Sequence, residues 1–241
     1  MEVLTVSNLK KQYGKTQVLK NVSFDITRGE FFGLLGHNGT GKSTTIDCIL
    51  GMKTYDEGQI EILGTSPQKI NKSLFENVGV QFQQSHYQEK IKVSELCYLT
   101  ASYYKKPEDW KTLLLSFGLN TKANMYVEKL SGGEKQKLSV LLTLIPNPKI
   151  VFLDELTTGL DTLARRLVWK ELIKLKQKGL TVLLTSHYME EVETLCDRIG
   201  IIVDGEIAVL GTIQQVIKQS GKQTLEDAYL WYTGEEEDES I

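Results

Sequence analysis

The sequence predicts an α/β protein with a mainly parallel sheet, an N-terminal antiparallel β subdomain and an inserted helical subdomain. Three patterns carry that reading. Apolar residues alternate in Val3-Leu4-Thr5-Val6 and in Val22-Ser23-Phe24-Asp25-Ile26, the period-two signature of strands with one face on a core. Continuous apolar runs, Ile150-Val151-Phe152-Leu153 and Thr181-Val182-Leu183-Leu184, are separated by a helical segment near Leu163 to Lys178. That spacing belongs to parallel strands buried on both faces. Between the two regions, from about Ser85 to Pro146, the chain reads mainly helical.

The elements follow in order. Tyr13-Gly14-Lys15 reads as a turn, because glycine tolerates a positive φ. A strand over Glu30 to Leu35 leads into a glycine-rich loop, Gly36 to Gly41, and then a helix from Lys42 to Leu50 with Gly51 as its C-terminal cap. Gln59-Ile60-Glu61-Ile62 is a short alternating strand. In the helical stretch Ser94 is expected to cap one helix, and Pro107 with Gly118 to bound another. Ile199 to Val203 and Glu206 to Leu210 flank Asp204-Gly205, a strong hairpin signal, since both turn positions favour positive φ. Residues 1–234 read as a single domain with the helical subdomain at about 85–146, and 235–241 as an acidic disordered tail.

Composition narrows the function. At 241 residues the chain supports one sizeable core. Lys+Arg of 28 against Asp+Glu of 31 gives a formal charge of −3, which argues against a nucleic-acid binder working through bulk positive charge. Cys48, Cys97 and Cys196 stand far apart, so neither a zinc site nor a disulfide framework is suggested, and a reducing cytosol fits. No apolar stretch approaches the ~18 to 20 residues that cross a bilayer, and no secretory signal opens the chain.

The chemistry begins at Gly36-His37-Asn38-Gly39-Thr40-Gly41-Lys42-Ser43-Thr44, which fits the P-loop pattern G-x-x-x-x-G-K-[ST] between a predicted strand and a predicted helix. The core is therefore expected to be that of a P-loop NTPase. Glycines let backbone N–H groups curl around phosphates, the helix N-terminus adds partial positive charge, Lys42 reaches the β- and γ-phosphates, and Ser43 ligates Mg²⁺. A P-loop alone leaves kinases, GTPases and many ATPases open. The run Ile150 to Leu153 ends in Asp154 and Glu155. Asp154 is expected to hold Mg²⁺ through water, and Glu155 to polarise the attacking water.

Between these segments lies Leu130-Ser131-Gly132-Gly133-Glu134-Lys135-Gln136, in which Ser131 is a cap-type residue and the glycines expose backbone N–H groups at a helix start. With the P-loop and Asp154-Glu155, this segment resembles the signature motif of the nucleotide-binding subunits of ATP-binding cassette transporters. The resemblance covers nearly the whole chain, from Leu4 to about Gly234. It implies that two subunits stack head to tail, with Ser131, Gly132, Gly133 and Glu134 of one closing over the ATP γ-phosphate held by the other.

Further roles follow from the resemblance. Tyr13 matches the aromatic that stacks on adenine, with Val18 a weaker part of the same wall. Gln83 matches the glutamine that touches Mg²⁺ and water, although Gln81 and Gln84 lie nearby. Asp161, in Thr158-Gly159-Leu160-Asp161, matches a residue that contacts the partner subunit. His187 matches the histidine that bonds the γ-phosphate and orients Glu155. His37, inside the P-loop, and His86, in a polar segment, are weaker histidine candidates. Two positions depart from the family pattern: Glu134 where Gln is commoner, and Leu156 where Pro usually follows the catalytic Glu.

Thr185-Ser186-His187-Tyr188-Met189-Glu190-Glu191 and the ending Leu225 to Gly234 look like the bacterial drug, antibiotic and polysaccharide exporter branch. The implied partners are a separate transmembrane permease subunit and a second cassette, identical or related, with the chain peripheral at the inner face of the membrane. A non-transport cassette ATPase, ribosome-associated or regulatory, is the alternative. Such factors normally carry two cassettes and basic extensions. Chromosome-organising ATPases need long coiled coils, and no sustained heptads occur.

Overall fold

A computed structural model describes residues 1–67, 72–81, 87–157 and 159–235, without the side chains of Lys72 and Ser73. The chain opens with β1 (Glu2–Tyr13) and β2 (Thr16–Thr27), paired antiparallel around the turn at Gly14, whose φ is 57°. Then come β3 (Phe31–Leu35), α1 (Lys42–Ile49), β4 (Glu57–Ile62), α2 (Lys72–Phe75) and β5 (Val78–Gln81). Helices α3 (Val93–Ser102), α4 (Trp110–Ser116) and α5 (Gly132–Leu144) intervene before the chain returns to the sheet. It closes with β6 (Ile150–Leu153), α6 (Thr162–Gln177), β7 (Thr181–Leu184), α7 (Met189–Leu195), β8 (Arg198–Val203), β9 (Glu206–Thr212), α8 (Ile213–Ser220) and α9 (Leu225–Thr233).

Among the described residues the strands form one sheet in the order β4-β1-β2-β9-β8-β3-β7-β6-β5. The half from β8 to β5 pairs in parallel, while β4-β1-β2 and the β8-β9 hairpin are antiparallel, so the sheet is mixed. The halves meet at a single register pair, Asn21 with Glu206, supported by Lys20 N–H donating to Gly205 O at 2.8 Å. Asp204 and Gly205 take φ of 47° and 80°, as the hairpin requires.

Every residue of β3, β6 and β7 is buried, and alternate side chains feed two cores. Phe32, Leu34, Ile150, Phe152 and Leu183 pack towards α1 and the N-terminal strands. Phe31, Leu35, Val151, Leu153, Val182 and Leu184 pack towards α5, α6, α7 and the helices before α5. Period-two alternation with both faces apolar is what a sheet covered on both sides demands.

Two expectations shift. Ser94 is not a cap: α3 starts one residue earlier, and Lys92 stands at its N-cap with its N–H donating to Glu95 Oε2 at 2.9 Å. A glutamate at the third helical position supplied an acceptor that a serine inside the first turn could not. Glu235 also belongs to the α9 terminus, where its N–H donates to Leu230 O at 3.0 Å after Gly234 turns left-handed at φ 72°. The rest of the expected tail, 236–241, lies outside the described residues.

Candidate active site

The C-terminal ends of β3, β6 and β7 bring the chemistry together, as open α/β sheets do where ligands bind. From β3 the chain turns through Gly36 to Gly41 into α1. Gly36 has φ 150°, and a Cβ there would sit 2.5 Å from Ile202 O and 2.7 Å from Thr40 Oγ1, so only glycine fits. Thr40 is buried and ties the loop to itself, its Oγ1 donating to His37 O at 2.9 Å. His37, Asn38 and Gly39 are on the open side, and a Cβ on Gly39 would meet nothing within 4 Å.

Lys42 is buried at 8 % exposure, with Nζ donating to Gly36 O at 2.6 Å and His37 O at 3.0 Å. The ammonium is therefore held inside the loop it must serve. Burial pushes its pKa down, and the charges of Asp154 and Glu155 partly offset that. Ser43, next on α1, is exposed, and Thr44 is half-buried.

β6 delivers Asp154 and Glu155, and register pairing of Leu153 with Leu184 sets Thr185 beside them. The Thr185 hydroxyl donates to Asp154 Oδ1 and accepts from Glu155 N–H at 3.1 Å. Gln81, buried at the end of β5, donates from Nε2 to Asp154 O at 3.3 Å. His187 Nε2 lies 3.4 Å from Glu155 Oε1. The next residue, Tyr188, stacks under Arg165, whose guanidinium carbon is 4.1 Å from the ring centroid, joining this loop to α6.

Ser131 caps α5: its Oγ accepts from Glu134 N–H at 3.2 Å, while Glu134 Oε2 accepts from Ser131 N–H at 2.9 Å. This reciprocal box is made by an acid where the family usually has an amide. The Ser131 N–H, then Lys122 at 3.1 Å, hold the Glu134 carboxyl below its ordinary value. Ser131 and Gly132 are exposed, Gly133 half-buried, and no side chain crowds Gly132.

Asp161 caps α6 by accepting from Ala164 N–H at 2.8 Å, so it has a structural task besides any partner contact. Tyr13 ends β1 with 42 % of its surface exposed, Lys11 Nζ 5.2 Å and Lys53 Nζ 5.8 Å from the ring centroid. Val18 is half-buried on β2, where its carbonyl would be 3.2 Å from a Cβ on Gly41. Gln83, Gln84 and His86 lie outside the described residues. A cavity of about 1060 Å³, lined in part by Arg28, Lys149 and Leu180, lies at the opposite end of the parallel strands and shares no residue with this site.

Sequence reasoning missed Thr185, Gln136 and Lys122. Thr185 was findable, since equal-length runs in β6 and β7 put their first following residues side by side. Gln136 and Lys122 reach their partners only through the tertiary packing of α5.

A P-loop, an acidic strand end, a histidine beside its glutamate and a capped Ser-Gly-Gly helix on this sheet define a class: the nucleotide-hydrolysing cassettes. A family model described as ABC transporter matches residues 19–158, and the chain belongs to that family as an ATP-binding subunit that hydrolyses ATP. The linearmycin resistance ATP-binding protein LnrL of Bacillus subtilis is 35% identical over 228 residues, covering 92% of this chain and 73% of that one. The Nod factor export ATP-binding protein I of Rhizobium etli is 37% identical over 224 residues, covering 91% and 71%. A solved ATP-binding subunit of an ABC transporter superposes with a TM-score of 0.88 at 28% identity, covering 95% of this chain and 99% of its own.

Proposed function

We propose that residues 1–234 act as one cassette that powers export through a separate membrane-spanning subunit by ATP-driven, head-to-tail pairing of two cassettes. Relatives named for linearmycin resistance and Nod factor export support the outward direction. Among the described residues no helix is long and apolar enough to cross a membrane. The helical lobe and the segment containing Gln83 are the proposed docking face.

The observation that carries the reading is the His187–Glu155–Thr185–Asp154 cluster at the strand ends beside Lys42. Tyr13 and Val18 hold the adenine. Amides of Gly36, His37, Asn38, Gly39, Thr40 and Gly41 wrap the phosphates, Thr44 completes the loop, and Lys42 exchanges its two carbonyl partners for phosphate oxygens. Glu155 orients and deprotonates the attacking water, and His187 steers Glu155 and bonds the γ-phosphate. From the facing copy, Ser131, Gly132 and Gly133 cover that phosphate, and Asp161 meets the partner.

Ser43 and Asp154 offer hard oxygen donors for Mg²⁺, with Gln83 a third. No group of three or more acidic, His or Cys residues forms a metal cage among the described residues. An ion held through the Ser43 and Asp154 oxygens would be shared with the phosphates. When bound it neutralises phosphate charge.

Contacts to the γ-phosphate exist only while ATP is intact, so nucleotide favours the closed pair and hydrolysis releases it. The test is Glu155→Gln. The variant is expected to bind ATP, to dimerise, and to hydrolyse at least about a hundredfold more slowly. Hydrolysis at the parental rate, or a monomer at saturating ATP, refutes the reading.

A further inference from the structure

The backbone of Glu155 is gripped from two directions, and one grip comes from the helix that bears the signature. Glu155 adopts a left-handed backbone, φ 51°. An L-residue other than glycine holds that conformation only where its surroundings over-determine it. On the sheet side its N–H donates to Thr185 Oγ1 at 3.1 Å. On the other side the Gln136 Nε2 amide donates to two successive carbonyls, Glu155 O at 3.3 Å and Leu156 O at 2.7 Å. Leu156 is fully buried, so water poorly replaces a donor lost there.

Gln136 stands on α5 little more than one turn beyond the capping box of Ser131 and Glu134. A helix moves as a unit. Displacement of the signature end is therefore carried to the peptide that aims the Glu155 carboxylate. Leu156 brings no ring restraint of its own to this backbone, and the hydrogen bonds from Gln136 lie across it.

We propose that Gln136 is a positioning residue for hydrolysis, tying α5 to the Glu155 turn so that the general base is aligned only when the signature helix is seated. This rests on the reading of Glu155 as the base. Gln136 acts through the backbone and touches neither nucleotide nor attacking water.

The test compares Gln136→Leu, Gln136→Glu and Gln136→Lys in steady-state hydrolysis of ATP by the full chain, with Glu155→Gln alongside. The Leu and Glu variants, which lack the donor, are expected to lose about tenfold or more in kcat with the KM for ATP within about twofold. The Lys variant keeps an N–H donor of similar reach and is expected to retain about a third or more of parental kcat. In a Glu155→Gln background, Gln136→Leu is expected to leave ATP-dependent dimerisation unchanged, because the signature donors are intact.

Parental kcat in the Leu variant, or equal losses in the Leu and Lys variants, overturns the proposal. So does a weakened dimer in the Glu155→Gln background, because Gln136 would then serve the signature rather than the base. If the Leu variant does not fold, Lys against Glu decides on the same terms. A fast Glu155→Gln removes the base assignment and this proposal with it; a slow Glu155→Gln beside a fast Gln136→Leu removes this proposal alone.

Discussion

Thr185→Val is the most informative single change to the site, because the two side chains have nearly the same shape and differ by one hydroxyl. Thr185 is 1 % exposed while Asp154 and Glu155 are half-buried, so water replaces the lost bonds only in part. Asp154 Oδ1 loses a hydrogen bond to a carboxylate, worth about 1.5–3 kcal/mol. Glu155 N–H loses its acceptor, and an unsatisfied buried amide costs about 1–3 kcal/mol. The two losses share one oxygen and do not simply add, so a destabilisation of roughly 3 kcal/mol is expected. For a chain of this size that lowers Tm by about 6–12 °C. Differential scanning calorimetry without nucleotide reads the stability, and a Mg²⁺ titration of ATP hydrolysis reads the site. Valine is expected to lower Tm, raise the Mg²⁺ concentration at half-maximal rate and reduce kcat, while Thr185→Ser keeps most of all three. A valine variant with parental Tm and an unmoved Mg²⁺ midpoint would show that the hydroxyl does not brace the two acids.

Removing the ammonium in Lys42→Ala is expected to abolish the rise in Tm that ATP gives the parent, and an undiminished nucleotide-induced shift removes Lys42 from the site. Glu134 has a depressed carboxyl pKa in the fold, so its contribution to stability is present above the ordinary value of 4.5 and is lost as pH falls through the lower folded value. Glu134→Gln should therefore flatten the acid limb of a stability-against-pH curve, and an acid limb identical to the parent's contradicts the carboxylate bond to Ser131. All three cysteines are buried, and burial raises the Cys48 thiol to about 11 and the Cys97 thiol to about 12. A disulfide-exchange reagent at neutral pH is expected to titrate them only after denaturant is added, and a rapid native titre would count against that burial.

The parts of the fold legible in the sequence were those fixed by local chemistry. Asp204-Gly205 announces its hairpin because few residues accept both positive φ values, and the apolar runs of β6 and β7 announce strands covered on both faces. The P-loop is legible because its glycines answer steric demands: a Cβ on Gly41 would stand 2.5 Å from Leu19 Cδ2. β1 was harder to read. It runs from Glu2 to Tyr13, but its pairing with β2 shifts register between Val6 and Leu9 and again near Lys11, with Asn8 at φ 49°. These irregularities break the alternation that reveals a strand. The acid and histidine candidates at strand ends could be named from their motifs, whereas the bonds that hold them could not. Thr185 serves Asp154 and Glu155 through sheet register, and Gln136 serves Glu155 across a helix-to-loop contact that no spacing encodes.

The same distinction explains the two departures from the family pattern. A carboxylate at position 134 looks adverse beside a motif meant to receive phosphate, because it adds negative charge. Its acceptors, however, point back to the Ser131 N–H, and Lys122 lies 3.1 Å from one oxygen. A glutamine would preserve the cap but leave Lys122 without its counter-charge, so residues 122 and 134 act electrostatically as a pair. Lys122 at 3.1 Å offsets part of the carboxylate's charge, so a phosphate approaching Ser131 meets less repulsion than from an unpaired acid. At Leu156 the backbone carries no ring, and its carbonyl accepts from the Gln136 amide of α5, which is a tertiary restraint. A restraint that lives in the tertiary structure can respond to the position of a helix, and a proline ring cannot.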